Sequence, residues 1–190
     1  ALDKRRSNLG DRDPAVGQSL NHLGEALLRT ADYEEAEKRL QEALVIRREL
    51  YGDSNPEVAA TLTALADVMT AMGEYEKAEP LIREALQIRR KLYGEVHADV
   101  AASIGDLGAS YGDRGDFKQA EVYLRQALAM QRQLHPTVHP DLAEALNNLG
   151  WALLELNRPA EAEPLYQLAL EMKQQMLEDR RAALLKGPPL

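Results

Sequence analysis

Apolar residues recur along this chain at the spacing of one helical face. From Pro14 to Thr30 they fall at i, i+3, i+4 and i+7, on Leu20, Leu23, Gly24 and Leu27. Because an α-helix turns once in about 3.6 residues, this spacing predicts an amphipathic helix. A second apolar face follows at once, on Ala36, Leu40, Ala43 and Leu44. The pattern therefore predicts a pair of helices.

This helix pair returns three more times without an insertion. Shifting the chain by 42 residues places Pro14 on Pro56, and two further shifts reach Ala98 and Pro140. Helix pairs that repeat this regularly stack on their neighbours, so we expect a single array without separate domains. Its parts are the end of a preceding repeat (1–13), four repeats (14–55, 56–97, 98–139 and 140–177), and a capping extension with a tail (178–190).

The helix ends carry residues with suitable local chemistry. Asp13 and Asn55 are good N-caps before prolines that suit the first helical turn, and His97 and His139 occupy the same position in the later repeats. We expect these histidines to serve that turn. The residues expected to close the first helices in a left-handed conformation are Gly73, Gly115 and Asn157, with Ala31 as the exception.

Both ends of the chain depart from the four full repeats. Residues 1–13 match the end of a second helix, so we expect the array to be a piece of a longer one. After Met176 the period fails, and we expect the last helix to continue to about Leu185 and Lys186 before the glycine and prolines that stop it. Leu184 and Leu185 would cover the open end of the stack or contact another domain or subunit.

Composition narrows the class of partner. The chain has a net charge of -8 and a pI near 5.1, which oppose binding to nucleic acid or to anionic membranes. It has no cysteine, which fits a reducing compartment, and no apolar run long enough for a membrane span. We therefore expect a cytoplasmic protein whose partner is another protein or a peptide.

The motif of the first repeat resembles the tetratricopeptide repeat. It reads Leu20-x2-Leu23-Gly24-x2-Leu27, followed by Ala36-x3-Leu40. The 42-residue period and phrases such as HPDLAEALNNLG and AEAEPLYQLAL are similar to the kinesin-light-chain type of this family. The resemblance implies an all-α fold, a right-handed superhelical solenoid of antiparallel helix pairs, whose first helices line a concave groove for extended peptides.

The groove implied by this resemblance would be lined by one face of each first helix. Its residues vary between copies, as residues that read a partner would. The candidates are Gln18, Asn21, Glu25 and Arg29; Thr63, Asp67 and Thr70; Gly105, Ala109 and Gly112; and Glu144, Asn147, Trp151 and Leu154.

Three features of this face suggest contacts. Asn21 and Asn147 could read a peptide backbone, as asparagines at this point do in the family, or could simply be solvated. Trp151 could anchor a ligand or could cover the end of the stack. Gly105 and Gly112 remove side chains from the third repeat, which would leave either a pocket walled by Trp151 for a bulky ligand residue or a weak helix.

The charge of this face indicates the chemistry of its ligand. It carries five acidic residues against Arg29 alone: Glu25, Asp67, Asp113, Glu144 and Glu155. Kinesin light chains of animals bind acidic, tryptophan-bearing cargo peptides on a basic groove. This chain departs from that pattern, so we expect a basic or neutral segment as the partner.

Signs of catalysis are few. His135-x3-His139 has a spacing that metals use, but the sequence offers no third ligand beside it, and no phosphate loop or nucleophile elbow is present. The pairs Arg47-Arg48 and Arg89-Arg90 lie towards helix C-termini, where the helix dipole favours cations, so we expect them to be structural. We therefore expect no enzyme activity, no cofactor and no metal.

The first hypothesis is thus a non-catalytic scaffold that binds a peptide or partner segment. Two alternatives remain open at this level. The chain could be the regulatory or sensor arm of a larger multidomain signalling protein or enzyme. It could also be a self-association module that forms homo-oligomers through its terminal helices.

Overall fold

The computed structural model describes residues 13–185, and these form eight α-helices with no strand. The helices are α1 Pro14–Arg29, α2 Tyr33–Tyr51, α3 Pro56–Ala71, α4 Tyr75–Tyr93, α5 Ala98–Asp113, α6 Phe117–Leu134, α7 Pro140–Glu155 and α8 Pro159–Leu185. The predicted pair of helices in each repeat is confirmed. Residues 1–12 and Lys186, for which the sequence predicted parts of helices, lie outside the described residues.

The N-caps are the predicted ones. Asp13 and Asn55 each accept a hydrogen bond from the backbone N–H two residues on, at 2.8 Å. The Nδ1 atoms of His97 and His139 do the same at 3.2 and 3.3 Å. Each first helix therefore begins at a side chain that satisfies one of its free N–H groups.

All four first helices close through a residue in the left-handed conformation. Gly73, Gly115 and Asn157 have φ angles of 76°, 87° and 58°, as predicted. Ala31 has a φ of 60°, so the residue that looked like an exception adopts the same conformation despite its Cβ atom. After each of these residues a backbone N–H reaches back to the helix, as from Asp32 to the Leu27 carbonyl at 3.0 Å.

The chain falls into two compact units of two helix pairs each. The first unit ends at Glu95 and the second unit begins at Val96. In the first unit, buried side chains such as Leu20 and Leu62 form the core, and in the second unit Leu124, Leu146 and Leu149 are fully or almost fully buried. That the four repeats form a single array stays a prediction.

Small residues let the two helices of a pair approach closely. The nearest side chains to Gly24, Gly108 and Gly150 are those of Leu40, Leu124 and Tyr166 respectively. The column Ala36, Ala120 and Ala162 lies one helical turn before these neighbours in each second helix. The alanines are buried as well, but the close approach is to the larger residue of the next turn.

The length and apolarity that a membrane-spanning helix requires are not combined in any helix between residues 13 and 185.

Candidate functional site

The residues of the predicted face all lie on the first helices α1, α3, α5 and α7, but they differ in burial. On α1, Gln18 and Arg29 are exposed, whereas Asn21 is only 4% exposed. The Asn21 amide donates to Glu25 Oε1 at 2.6 Å, and its Oδ1 accepts from Arg47 Nη1 at 2.9 Å. The structure thus places Asn21 inside the first unit, where its polar atoms already have partners.

Arg47 is the centre of this buried network. It is 5% exposed, and its guanidinium donates to Asn21 Oδ1, to Thr61 Oγ1 at 2.6 Å and to the Glu57 carbonyl at 3.0 Å. A salt bridge of 2.8 Å to Glu57 Oε2 balances its charge. Burial lowers the pKa of Arg47, and the Glu57 carboxylate opposes that shift. Arg47 therefore joins α2 to α1 and α3, so its role is structural for a different reason than the dipole effect that the sequence suggested.

Glu25 and Asp67 create a second electrostatic feature of the first unit. Asp67 on α3 remains accessible to water, yet the surrounding helices displace much of its hydration and raise its pKa to about 6. Repulsion by Glu25 on α1 adds to this rise, and Arg89 opposes it. Negative charge on Glu25 thus disfavours the charged form of Asp67.

The two remaining candidate residues on α3 are Thr63 and Thr70. The hydroxyl of Thr63 donates to the backbone carbonyl of Ala59 at 3.2 Å, and Thr70 is half-buried.

The second unit contains a cavity of about 300 Å³ between α5, α6 and α7. Gly105 and Ala109 line it from α5, and a Cβ atom placed on Gly105 would meet only the Cβ of Ala127, at 4.0 Å. Gln131 lines it from α6, is 5% exposed, and has no hydrogen-bond partner for its Oε1 atom. The cavity is thus open, with an unsatisfied acceptor in its wall.

The lining of this cavity is acidic. Among the described residues that line it, none is basic and four carry carboxylates: Asp99, Asp106, Asp141 and Glu144. Of these four, only Glu144 belongs to the face predicted from the sequence. Gln131, Asp99, Asp106 and Asp141 were missed because the prediction followed a single stripe of each first helix. A comparison of Arg47 with the residues at its position in the other repeats could have drawn attention to Gln131.

The Trp151 side chain packs against the protein itself, beside Gly112. Its ring covers Gly112, so closely that a Cβ atom at position 112 would come within 3.0 Å of it. The ring of Phe117 packs edge-on against Trp151, with centroids 5.7 Å apart. The predicted pocket that spans Gly105 and Gly112 with Trp151 as its wall is therefore corrected: the space beside Gly112 is filled by Trp151, and the cavity lies at Gly105 and Ala109.

The other candidate residues on α7, the first helix of the fourth repeat, are at least partly accessible to solvent. Asn147 is half-buried, Glu144 is exposed, and Leu154 is 46% exposed. Leu154 borders a shallow recess together with Tyr166 and Leu170. Burial raises the pKa of Asp113 at the end of α5.

The histidine pair near α7 does have a third group beside it. Asp141 Oδ2 lies 4.0 Å from His135 Nε2 and 3.8 Å from His139 Nδ1, and the two rings stack with centroids 3.4 Å apart. A potential third ligand therefore lies beside these histidines, contrary to the expectation from the sequence. His139 Nδ1 is nevertheless engaged as the cap of α7, so the arrangement already serves the helix start.

One family model and several solved structures match this chain. The tetratricopeptide repeat family model matches residues 15–90, 57–133 and 123–175. None of the curated proteins matches the chain. Among solved structures, BtubC (BKLC) from P. vanneervenii is 26% identical with a TM-score of 0.77, over 98% of this chain and 71% of that chain.

Two further solved structures share the fold at lower identity. A variant of the kinesin-light-chain TPR-like repeats from Podosopora anserina is 21% identical with a TM-score of 0.77, over 93% of this chain and 84% of that chain. A Rap protein complexed with competence and sporulation factor is 19% identical with a TM-score of 0.76, over 87% of this chain and 45% of that chain.

The helices and these matches agree on an all-α helical repeat solenoid, a fold that serves as a scaffold for protein interactions and is typically non-catalytic. The chain belongs to the tetratricopeptide repeat family, and its repeats are kinesin-light-chain-like.

Proposed function

We propose that this chain binds an extended basic or neutral segment of a partner protein, with the cavity between α5, α6 and α7 as the main contact. The observation that carries the proposal is the acidic lining of that cavity around the bare backbone of Gly105. An open space lined by carboxylates and free of lysine and arginine attracts positively charged groups and repels negatively charged ones.

The first unit supports the same ligand chemistry. Glu25 and Asp67 repel each other strongly enough to contribute to the raised pKa of Asp67. A positively charged ligand group beside them would relieve this repulsion, whereas an acidic ligand would add to it. The Rap protein with competence and sporulation factor supports ligand binding by this fold in general, and the choice of ligand rests on the charges of this chain.

A peptide array followed by fluorescence anisotropy tests the proposal. Basic and neutral peptides should bind, and the affinity of the basic peptides should fall as salt rises because their attraction to the carboxylates is screened. Gly105→Leu should abolish binding while circular dichroism stays unchanged, since the leucine fills the cavity. The matched control is Glu178→Gln, at an exposed carboxylate of α8 that lines none of the described cavities. Salt-insensitive binding of an acidic peptide would refute the proposal.

A second proposal, self-association, is favoured by the surface of α8. This helix exposes Leu170, Leu177 and Leu184, which are 51%, 56% and 75% accessible. Apolar side chains this exposed on one terminal helix suit burial against a second copy. Light scattering across concentration should then show dimers that Leu177→Glu with Leu184→Glu converts to monomers, and a wild-type chain that stays monomeric contradicts the idea.

A further inference from the structure

The first unit fills the space between three of its helices with a side chain, whereas the second unit has a cavity at the equivalent place. In the first unit, the guanidinium of Arg47 occupies the space between α1, α2 and α3, where Asn21, Thr61 and Glu57 hold it. Four oxygen atoms surround it: an amide, a hydroxyl, a backbone carbonyl and a carboxylate oxygen. This space is therefore built for a planar cation with several N–H donors.

Two repeats further along, each of the side chains that fill this space is shorter. Gly105 stands at the position of Asn21, Gln131 at that of Arg47, and Ala145 at that of Thr61. All three residues line the cavity of the second unit. The carboxylate of the first unit is kept, because Asp141 stands at the position of Glu57. The second unit thus lacks the guanidinium and keeps its counter-charge.

The wall of the cavity contains a hydrogen-bond acceptor without a donor. Gln131 is 5% exposed, and its Oε1 atom has no hydrogen-bond partner. A buried acceptor without a donor costs free energy, which a ligand with N–H groups would recover. Asp141 and Glu144 border the same space and would balance a positive charge there.

We propose that this cavity binds the side chain of an arginine from the partner, in the place that Arg47 takes in the first unit. The proposal deepens the proposed function and rests on it, since it names the group that the acidic cavity recognises. The volume of about 300 Å³ is at the lower end for ligand sites, which suits a single side chain. Arginine is favoured over lysine because the chain itself fills the equivalent space with a guanidinium.

The first experiment uses small probes on the intact chain. N-acetyl-arginine methylamide is titrated against N-acetyl-citrulline methylamide, its neutral isostere, and N-acetyl-lysine methylamide, with ¹H–¹⁵N NMR as the readout. We expect the amides of Gly105, Ala109 and Ala145 to shift with arginine and to respond at least about tenfold more weakly to citrulline, which lacks the charge. Equal responses to arginine and lysine would overturn the guanidinium assignment, and shifts that spare these three amides would overturn the site.

The second experiment fills the cavity from within. Gly105→Asn, Gln131→Arg and Ala145→Thr together transfer the first-unit arrangement to the second unit. The variant should lose binding of the arginine probe and gain about 2–4 °C in Tm, as a new satisfied network would give. A folded variant that still binds the probe like the wild type overturns the proposal. If the triple variant does not fold, Glu144→Gln replaces it, and Glu178→Gln is the control. We expect Glu144→Gln to bind the probe about two- to fivefold more weakly. Unchanged probe binding by Glu144→Gln would also overturn the proposal.

The arginine site and the binding of a partner segment can be refuted independently of each other. If the array yields partners that bind through Gly105 but contain no arginine, the proposed function stands and the arginine site is wrong. If the arginine probe binds in the cavity and no protein segment does, the site stands and the proposed function is wrong.

Discussion

The ring of Trp151 occupies the space that a side chain at position 112 would need. A Cβ atom on Gly112 would come within 3.0 Å of the indole, while one on Gly105, two turns earlier in α5, would meet only the Cβ atom of Ala127, at 4.0 Å. The two glycines therefore serve opposite purposes: Gly112 admits a side chain of the protein itself, and Gly105 leaves a cavity.

Two alanine substitutions separate these roles. Gly105→Ala should stabilise the protein by about 0.5–1 kcal/mol, since alanine is the better helix former and nothing obstructs it. Gly112→Ala should leave it about 1–3 kcal/mol less stable than Gly105→Ala, because the methyl group displaces Trp151. Urea denaturation measures both, and the emission of Trp151 should shift to longer wavelength only in Gly112→Ala. Equal stabilities of the two variants would show that the indole is not held over Gly112.

Removal of Arg47 should weaken the first unit. Arg47→Ala leaves a cavity and removes the guanidinium donor from Asn21 Oδ1, Thr61 Oγ1 and the Glu57 carbonyl, at a cost of about 2–4 kcal/mol. The neighbouring Arg48 is a matched control, because its salt bridges to Asp53 and Glu84 are partly exposed, and Arg48→Ala should cost less than about 1 kcal/mol. The comparison uses chemical denaturation, and similar losses for both variants would contradict the buried role of Arg47.

Asp67 should make stability depend on pH. Its pKa is raised to about 6 in the folded protein, so the folded state binds the proton more tightly than the unfolded chain. Its charge therefore destabilises the fold fully above pH 6, and this cost disappears as pH falls below the unfolded pKa of about 3.9. Asp67→Asn should gain about 1 kcal/mol at pH 7.5, allowing for the contact of Asp67 with water, and almost nothing at pH 3.5.

Measurement of Asp67→Asn and Glu178→Gln at both pH values tests this dependence. The control substitution removes a charge of the same sign from an exposed position of α8. A gain for Asp67→Asn that is the same at both pH values would argue against a raised pKa.

Ala31 should respond favourably to glycine. Its φ of 60° is costly for a residue with a Cβ atom, so Ala31→Gly should raise stability by about 1 kcal/mol. The control is Ala26→Gly, at an exposed position inside α1. It should lower the stability, because glycine weakens a regular helix by about 1 kcal/mol. Thermal unfolding of the two variants should move Tm in opposite directions.

The sequence predicted the helices and their ends well, because these depend on neighbouring residues. Asp13 and Asn55 cap their helices through atoms two residues away, and Asn157 closes α7 through its own backbone. The candidate site was harder to predict, because it depends on contacts between helices. Asn21 is buried through Arg47, which lies in the next helix, and no spacing along α1 reveals that bond.

The cavity was only half predictable for the same reason. Gly105 was recognised as a missing side chain, but the space beside it also needs Gln131 and Ala145, from two other helices. Gly112 looked equivalent to Gly105 in sequence, and only the path of the Trp151 side chain distinguishes them.

The network around Arg47 suggests how a repeat architecture can change its binding specificity at low risk. The residues Asn21, Arg47 and Thr61 close this space in the first unit, whereas their counterparts Gly105, Gln131 and Ala145 line a cavity in the second unit. Under the arginine proposal, exchanging these three residues between repeats would relocate the docking point along the chain.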